Sequence, residues 1–227
     1  IYIDDVKIDF TDEFNFLGLI LDKHLRWKSH IKFLSQKISK TTGIMTKLKH
    51  VLPTDALYNI YNALILPHLN YCSSIWGWQS HNLFKIQKKA IRIITKSKYN
   101  AHTSNLFKQL NTLKIQDICA LHDYKFVYKL LNGLVPSFFL DLLEPHTVAY
   151  HEHNTRQAMD LRLPAVRHDF ARNGIKYRFP KIFNTMPVSF KQKIFTHSQF
   201  GFKIYIKKNM IESYSTICSI PNCYICN

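Results

Sequence analysis

Phe14-Asn15-Phe16-Leu17-Gly18-Leu19-Ile20-Leu21-Asp22-Lys23-His24-Leu25-Arg26-Trp27-Lys28-Ser29-His30 decides the reading, because here an apolar run passes into a basic amphipathic segment with no spacer. Phe14, Phe16, Leu19 and Leu21 alternate, which predicts a strand buried on one face. Gly18 interrupts it, as a bulge or a close backbone approach would. Asp22-Lys23 reads as a turn, and Trp27 and Ile31 begin a helical period.

Outward from that stretch, the pattern is helical. Ile31, Leu34, Ile38, Thr41, Met45 and Leu48 form a stripe, with Ser29 as the expected N-cap and Gly43 a weak point. After Leu52-Pro53, a second helix capped by Thr54 or Asp55 carries Leu57, Ile60, Tyr61, Leu64 and Ile65, and Pro67 bends or ends it. A basic helix follows, with Leu83, Ile86, Ala90 and Ile93 inward and Lys85, Lys88, Lys89, Arg92 and Lys96 around the rest. Helices are expected over 104–110 and 115–131, the latter stopped by Asn132-Gly133. A short apolar helix starts at Pro136, residues 145–168 are looser, and a last basic helix spans 198–214 with Phe202, Tyr205, Ile206 and Met210 inward. At the other end, Tyr2-Ile3 and Val6 to Ile8 flank Asp4-Asp5 as the arms of a β-hairpin.

Charge separates the possible functions. The formal net charge is +16, and Asp55 is the one acidic residue between Asp22 and Asp117. A second acid-free stretch runs from Phe170 to Ile211. Stretches that exclude carboxylates suit a phosphate-rich partner. An apolar content of 46% excludes a mainly disordered chain, and no apolar run is long enough to span a bilayer, so no membrane partner is expected. Cys72 and Cys119 stand alone among apolar neighbours and read as reduced core residues in an intracellular protein. Cys218, Cys223 and Cys226 supply three thiolates where a structural zinc site takes four ligands, so they are candidate metal ligands only, and zinc is not expected there. His151-Glu152-His153 lacks the spacing of a zinc-protease helix and reads as loop. No acid–base pair, nucleophile or phosphate loop is visible, so no catalytic residue is expected in this chain.

The motifs resemble, in order, the region that leads from palm to thumb and beyond in reverse transcriptases of non-LTR (LINE-type, Jockey-like) retrotransposons. The markers are Phe16-Leu17-Gly18 followed by Asp22, Leu25-Arg26-Trp27-Lys28 and His30-Ile31, and then Pro67-His68-Leu69-Asn70-Tyr71 with Trp76-Gly77 ahead of the basic helix. Thr155-Arg156 with Leu161-Arg162-Leu163-Pro164, and Phe183-Asn184-Thr185-Met186-Pro187, continue the series; the family usually has Trp and Leu where Phe183 and Met186 stand. Tyr2-Ile3-Asp4-Asp5 also matches the carboxylate box that holds Mg²⁺ in such polymerases, but it lies too close to the Phe-Leu-Gly strand for that role. The resemblance therefore implies that Mg²⁺ belongs to the full-length polymerase, and that the fingers and palm are a partner outside this chain. The start at Ile1 rather than Met fits a fragment.

The expected fold is mainly α. Residues 1–22 form an end-of-palm, primer-grip-like β-hairpin, 23–110 a helical thumb-like domain, and 111–227 a mostly helical, partly irregular region with a cysteine-containing tail. The resemblance implies an RNA-directed DNA polymerase fragment that grips an RNA–DNA hybrid or other template–primer, in the nucleus. Phe16, Leu17 and Gly18 would correspond to the primer grip, and Lys28, Lys32, Lys37, Lys85, Lys88, Lys89 and Arg92 are the candidates for backbone contact. A stand-alone nucleic-acid-binding protein and an inactive element remnant are the alternatives.

Overall fold

The computed structural model describes residues 2–3, 6–7, 10–142 and 160–214. Two antiparallel hairpins open the chain: β1 (Tyr2–Ile3) with β2 (Val6–Lys7), and β3 (Glu13–Phe16) with β4 (Leu19–Asp22). Helices follow: α1 (Lys28–Leu48), α2 (Thr54–Leu64), α3 (Leu66–Asn70), α4 (Ser73–Trp76), α5 (His81–Ile94), α6 (Thr103–Gln109), α7 (Ile115–Leu131), α8 (Asp169–Arg172), α9 (Ile175–Thr185), α10 (Val188–Thr196) and α11 (Gln199–Glu212). The mainly helical class with an N-terminal hairpin is as expected. Asp4, Asp5, His146, His151, His153, Thr155, Arg156 and the cysteines at 218, 223 and 226 lie outside the described residues.

The chain forms two compact units, residues 1–118 with 214–227, and residues 119–213. The hairpin expected as a segment of its own, 1–22, belongs to the same unit as α1 to α6. The division between these units falls inside α7.

In the first unit the single bulged strand expected over 14–21 is instead a tight hairpin. Phe16 pairs with Leu19, and Leu17 and Gly18 form a two-residue loop with φ of 49° and 82°. Left-handed φ at both loop positions is what a two-residue turn needs to match strand twist. The expected buried face is also absent from β3, all of whose residues are exposed. β4 lies against α1, where Leu19 is buried and the Ile20 N–H donates to His30 Nδ1 (3.4 Å). A two-stranded ribbon with one strand docked leaves the other as an open edge, so Phe14 and Phe16 face solvent.

α1 runs unbroken through Gly43, because Ile31, Leu34, Ile38 and Met45 all bury and Thr42, rather than Thr41, completes the stripe. Beneath it lie Leu57 and Tyr61 of α2, Leu69, Trp76, and Leu83, Ala90, Ile91 and Ile94 of α5. Ser29 is not the N-cap, for its hydroxyl is turned to the Glu13 carboxylate; Trp27, at φ 62°, takes the cap position. Pro53, not Thr54 or Asp55, caps α2, and Pro67 starts α3 instead of ending a helix. A buried amide, Gln87, ties the middle together: it donates to the Tyr61 hydroxyl (2.9 Å) and the Leu113 carbonyl (3.0 Å) and accepts from the Ile115 N–H (2.9 Å). Each of these groups would otherwise be buried without a partner, a cost of about 1–3 kcal/mol apiece.

The second unit is built on aromatic rings. Tyr128 of α7 packs on Phe202 of α11 (5.1 Å between centroids) and donates through its hydroxyl to the His197 carbonyl (2.9 Å). Phe126 stacks on Phe179 at 4.3 Å, and Phe190 meets Tyr124 and Tyr205 edge-on. Gly133, at φ 66°, ends α7 as the sequence predicts. Asn184 donates to the Leu161 carbonyl and accepts from the Leu161 N–H, both at 2.8 Å, which fastens the irregular 160–168 strip to α9.

Candidate nucleic-acid interface

Asp22 organises the junction between hairpin and helix. One carboxylate oxygen accepts from the N–H groups of His24 (3.0 Å) and Arg26 (3.1 Å), the other from Trp27 (2.8 Å). Burial pushes its pKa up, but these backbone donors and the His24 charge outweigh that and hold it below its ordinary value. Leu25 and Trp27 both sit at positive φ, a conformation that costs a residue with a side chain about 1–2 kcal/mol. Asp22 therefore acts as a brace that lets the chain turn sharply from β4 into α1.

His30 lies one turn in. Its ring is buried between Trp27 (6.3 Å) and Trp76 (5.7 Å), Nδ1 accepts the Ile20 N–H, and Nε2 has no hydrogen-bond partner. Burial pulls its pKa down, so the neutral ring is the stable form. The buried histidine thus fixes β4 against α1 one pair from the loop, so the turn is held close to the helix while Phe16 and Leu17 stay exposed.

At the tip, Leu17 is 73% exposed and Phe16 53% exposed. Tyr71, half-exposed, donates through its hydroxyl to the Leu17 carbonyl (2.6 Å), so the strained turn is held from the α3–α4 link. A side chain at Gly18 would meet only the Tyr71 ring, at 3.9 Å; it is the φ of 82° that calls for glycine. Trp76 is a core residue, and its indole N–H donates to the Tyr71 carbonyl (3.0 Å). Tyr71 and Trp78, by contrast, are exposed.

The candidate cations divide by burial. Lys28, Lys32 and Lys37 are exposed on α1, the last with its ammonium 4.6 Å from the Phe33 ring centroid. His68 of α3 sits close enough to Lys37 that burial first, and the lysine charge second, lower its pKa. Lys85 and Lys89 are exposed on α5. Lys88 is not: it is 3% exposed, with its ammonium 5.1 Å from the Phe84 ring centroid. Arg92 is half-buried and donates through Nε to the Ala101 carbonyl (2.9 Å), which shapes the turn after α5. Lys40 and Lys47 were missed as candidates although both are exposed on α1. At about 100° per residue they share the solvent arc with Lys28 and Lys32, so the helical period alone would have found them.

Between residues 23 and 116 there are sixteen Lys and Arg residues and the single acid Asp55. Asp55 lies in the first turn of α2, where the helix dipole favours a negative charge. Among the described residues no group of three or more His, Cys, Asp or Glu side chains is placed to hold a metal ion. No helix among them is long and apolar enough to cross a membrane.

No protein-family model matches the chain, and no solved structure matches it. It is similar to the probable RNA-directed DNA polymerase from transposon X-element of Drosophila melanogaster, with 23% identity over 134 residues. That alignment covers 56% of this chain and 15% of the relative, so the chain corresponds to a small part of the longer protein. The relation bears out the resemblance read from the motifs: this is a protein related to retrotransposon reverse transcriptases.

Proposed function

We propose that this chain is a piece of a retrotransposon RNA-directed DNA polymerase, and that its first unit holds the backbone of the template–primer. The observation that carries the reading is the acid-free surface of α1 and α5, with Lys28, Lys32, Lys37, Lys40, Lys47, Lys85 and Lys89 all exposed. Lysines spaced along helices contact phosphates and position a duplex without reading its sequence. The hairpin tip at Phe16, Leu17 and Gly18 serves beside them as an apolar finger against the primer end. Its strained, exposed turn braced by Tyr71 supports that role, because such strain collects where a ligand is met. The RNA–DNA hybrid is the substrate that the relative's printed activity favours, and the nucleus is the compartment that the motif resemblance implies. The catalytic carboxylates and their Mg²⁺ belong, in this reading, to the longer polymerase.

The test is binding of a labelled RNA–DNA hybrid by fluorescence anisotropy across a salt series. Each phosphate contact contributes roughly 0.9 to the slope of log K against log salt on a B-form duplex. Lys85→Gln with Lys89→Gln should lower the slope by about 1.8 on that scale. Salt-independent binding, or an unchanged slope in the double variant, would remove α5 from the interface.

A further inference from the structure

The second unit carries a basic cluster that the motifs do not single out. His122, Lys125 and Lys129 fall at i, i+3 and i+7 on α7 and so share one face of that helix. Lys203 on α11 is brought to this face by the packing of Tyr128 on its neighbour Phe202, and by the Tyr128 hydroxyl bond to His197. The positive groups are close enough to repel. Burial, then the charges of Lys125 and Lys203, lower the pKa of His122; burial, then Lys203 and Lys129, lower that of Lys125. No ion pair with a described carboxylate relieves Lys125, Lys129 or Lys203. The α7 acid nearest in sequence, Asp123, is instead bound to Arg178 at 2.5 Å.

Exposed aromatic rings adjoin the cluster. Phe195 lies in the last turn of α10 and Phe200 in the first turn of α11, each 70% exposed, on the two sides of the link whose His197 carbonyl is tied to α7. Phe200 and Lys203 are one helical turn apart on α11, and Ile204 and Lys207 continue the same side. A membrane-surface helix segregates its cations from its apolar residues. Here Lys203 and Lys207 fall within about 60° of Phe200 around the helix, so cations and ring share one side rather than being segregated, which opposes insertion into lipid. Cations alternating with exposed rings are instead what a single strand uses, with phosphates on the lysines and unstacked bases on the rings.

We infer that the face formed by His122, Lys125, Lys129 and Lys203 with Phe195 and Phe200 binds single-stranded nucleic acid, separately from the duplex contacts of the first unit. It takes from the proposed function only the expectation that the partner is a nucleic acid. Single strands are the favoured class because bases held inside a duplex offer no faces to Phe195 and Phe200.

The experiment compares the whole chain binding labelled oligo(dT) and the RNA–DNA hybrid at several salt concentrations. Lys125→Gln with Lys203→Gln should lower oligo(dT) affinity roughly 15-fold near physiological salt and flatten its slope by about 1.4, from two phosphate contacts at about 0.7 each. Phe200→Ala should cost about fivefold or more while leaving the slope unchanged, since stacking is not a counterion effect. Neither change should alter hybrid affinity by more than about twofold, and thermal unfolding midpoints should match that of the unmodified chain. If the chain binds the hybrid but not oligo(dT), or if oligo(dT) affinity survives both changes, this inference fails and the proposed function stands. If the hybrid is not bound but oligo(dT) is, and both changes weaken it, the inference stands without the proposed function. Phe200-dependent capture by anionic phospholipid vesicles in preference to oligo(dT) would make the face a membrane surface and overturn the inference.

Discussion

Removing the Asp22 side chain should destabilise the first unit far more than its position at a surface junction suggests. Its carboxylate receives three backbone N–H groups at 2.8–3.1 Å, from His24, Arg26 and Trp27. A hydrogen bond to a charged group is worth about 1.5–3 kcal/mol when sheltered, and a surface helix cap about 0.5–2 kcal/mol in total. The bonds to His24 and Arg26 are exposed and the one to Trp27 is partly buried, so the sum lies nearer the cap figure than three times the sheltered one. Leu25 and Trp27 in left-handed conformations then lose their restraint, which adds to the loss. Asp22→Ala should cost about 2–3 kcal/mol on these grounds. Asp22→Asn should cost about half as much: one oxygen still accepts, but its amide then confronts the Trp27 N–H.

All three tryptophans of the chain, Trp27, Trp76 and Trp78, lie in the first unit, so their fluorescence follows its unfolding alone. Urea titration read by that emission is the assay. The pH dependence supplies a second check. Because Asp22 has a folded pKa below its ordinary 3.8, its contribution is complete above that pH and is lost as pH falls toward the folded value. The unmodified chain should therefore lose part of its advantage over Asp22→Ala below about pH 4. An alanine variant within about 0.5 kcal/mol of the parent at neutral pH would refute the brace.

Two further outcomes follow from burial. Lys88→Ala should destabilise the first unit by about 1–2 kcal/mol through lost packing of its stem and ammonium on Phe84, whereas Lys89→Ala should leave stability within about 0.5 kcal/mol and lower the hybrid salt slope by roughly 0.9. Urea titrations paired with anisotropy separate the two, and equal effects from both would contradict the assigned burial. His30 and His68 are each held below the ordinary histidine value of 6.5, burial being the first cause for both. The unfolded chain then binds protons that the folded one refuses, so tryptophan-monitored stability should decline as pH falls below 6.5, by at most about 1.4 kcal/mol per pH unit for each histidine. A flat profile between pH 7 and 5 would count against the burial of His30 and the partial burial of His68 beside Lys37.

Element type was legible wherever one periodicity ran long enough. α1, α5 and α7 are each set by a stripe of apolar side chains at helical spacing, and α7 stops at Gly133 where the sequence places its end. The buried face was misread because alternation says which residues share a face and not whether anything covers it. Phe14 and Phe16 alternate as a half-buried strand would, but no helix covers their side chains. Capping was misread for a related reason. Ser29 and Thr54 are good caps by type, yet Asp22 reaches forward to brace the turn and Pro53 already sets the entry to α2. Lys88 could not be told from Lys85 and Lys89 by residue type, because a lysine in a basic helix gives no sign of which stem lies over a ring. The α7–α11 cluster was invisible for want of proximity: His122 and Lys203 are far apart in sequence and are brought near one another by the contacts of Tyr128 with Phe202 and His197.

Where the acids stand decides between a surface purpose and a compositional accident. A coding bias toward lysine would add cations without sorting the carboxylates that remain. In the first unit the described acids are sorted. Asp12 pairs with Lys23, Glu13 receives the Ser29 hydroxyl, and Asp22 braces the junction. Asp55 sits in the first turn of α2, and Asp117, in the first turn of α7, receives the Tyr214 hydroxyl. Each occupies a turn, a strand or a helix start, where a negative group satisfies backbone donors or a specific partner. None lies within α1 or α5, the two helices that carry the exposed lysines. Carboxylates thus remain where the fold uses them and are missing from α1 and α5, and that arrangement supports the polyanionic partner proposed above.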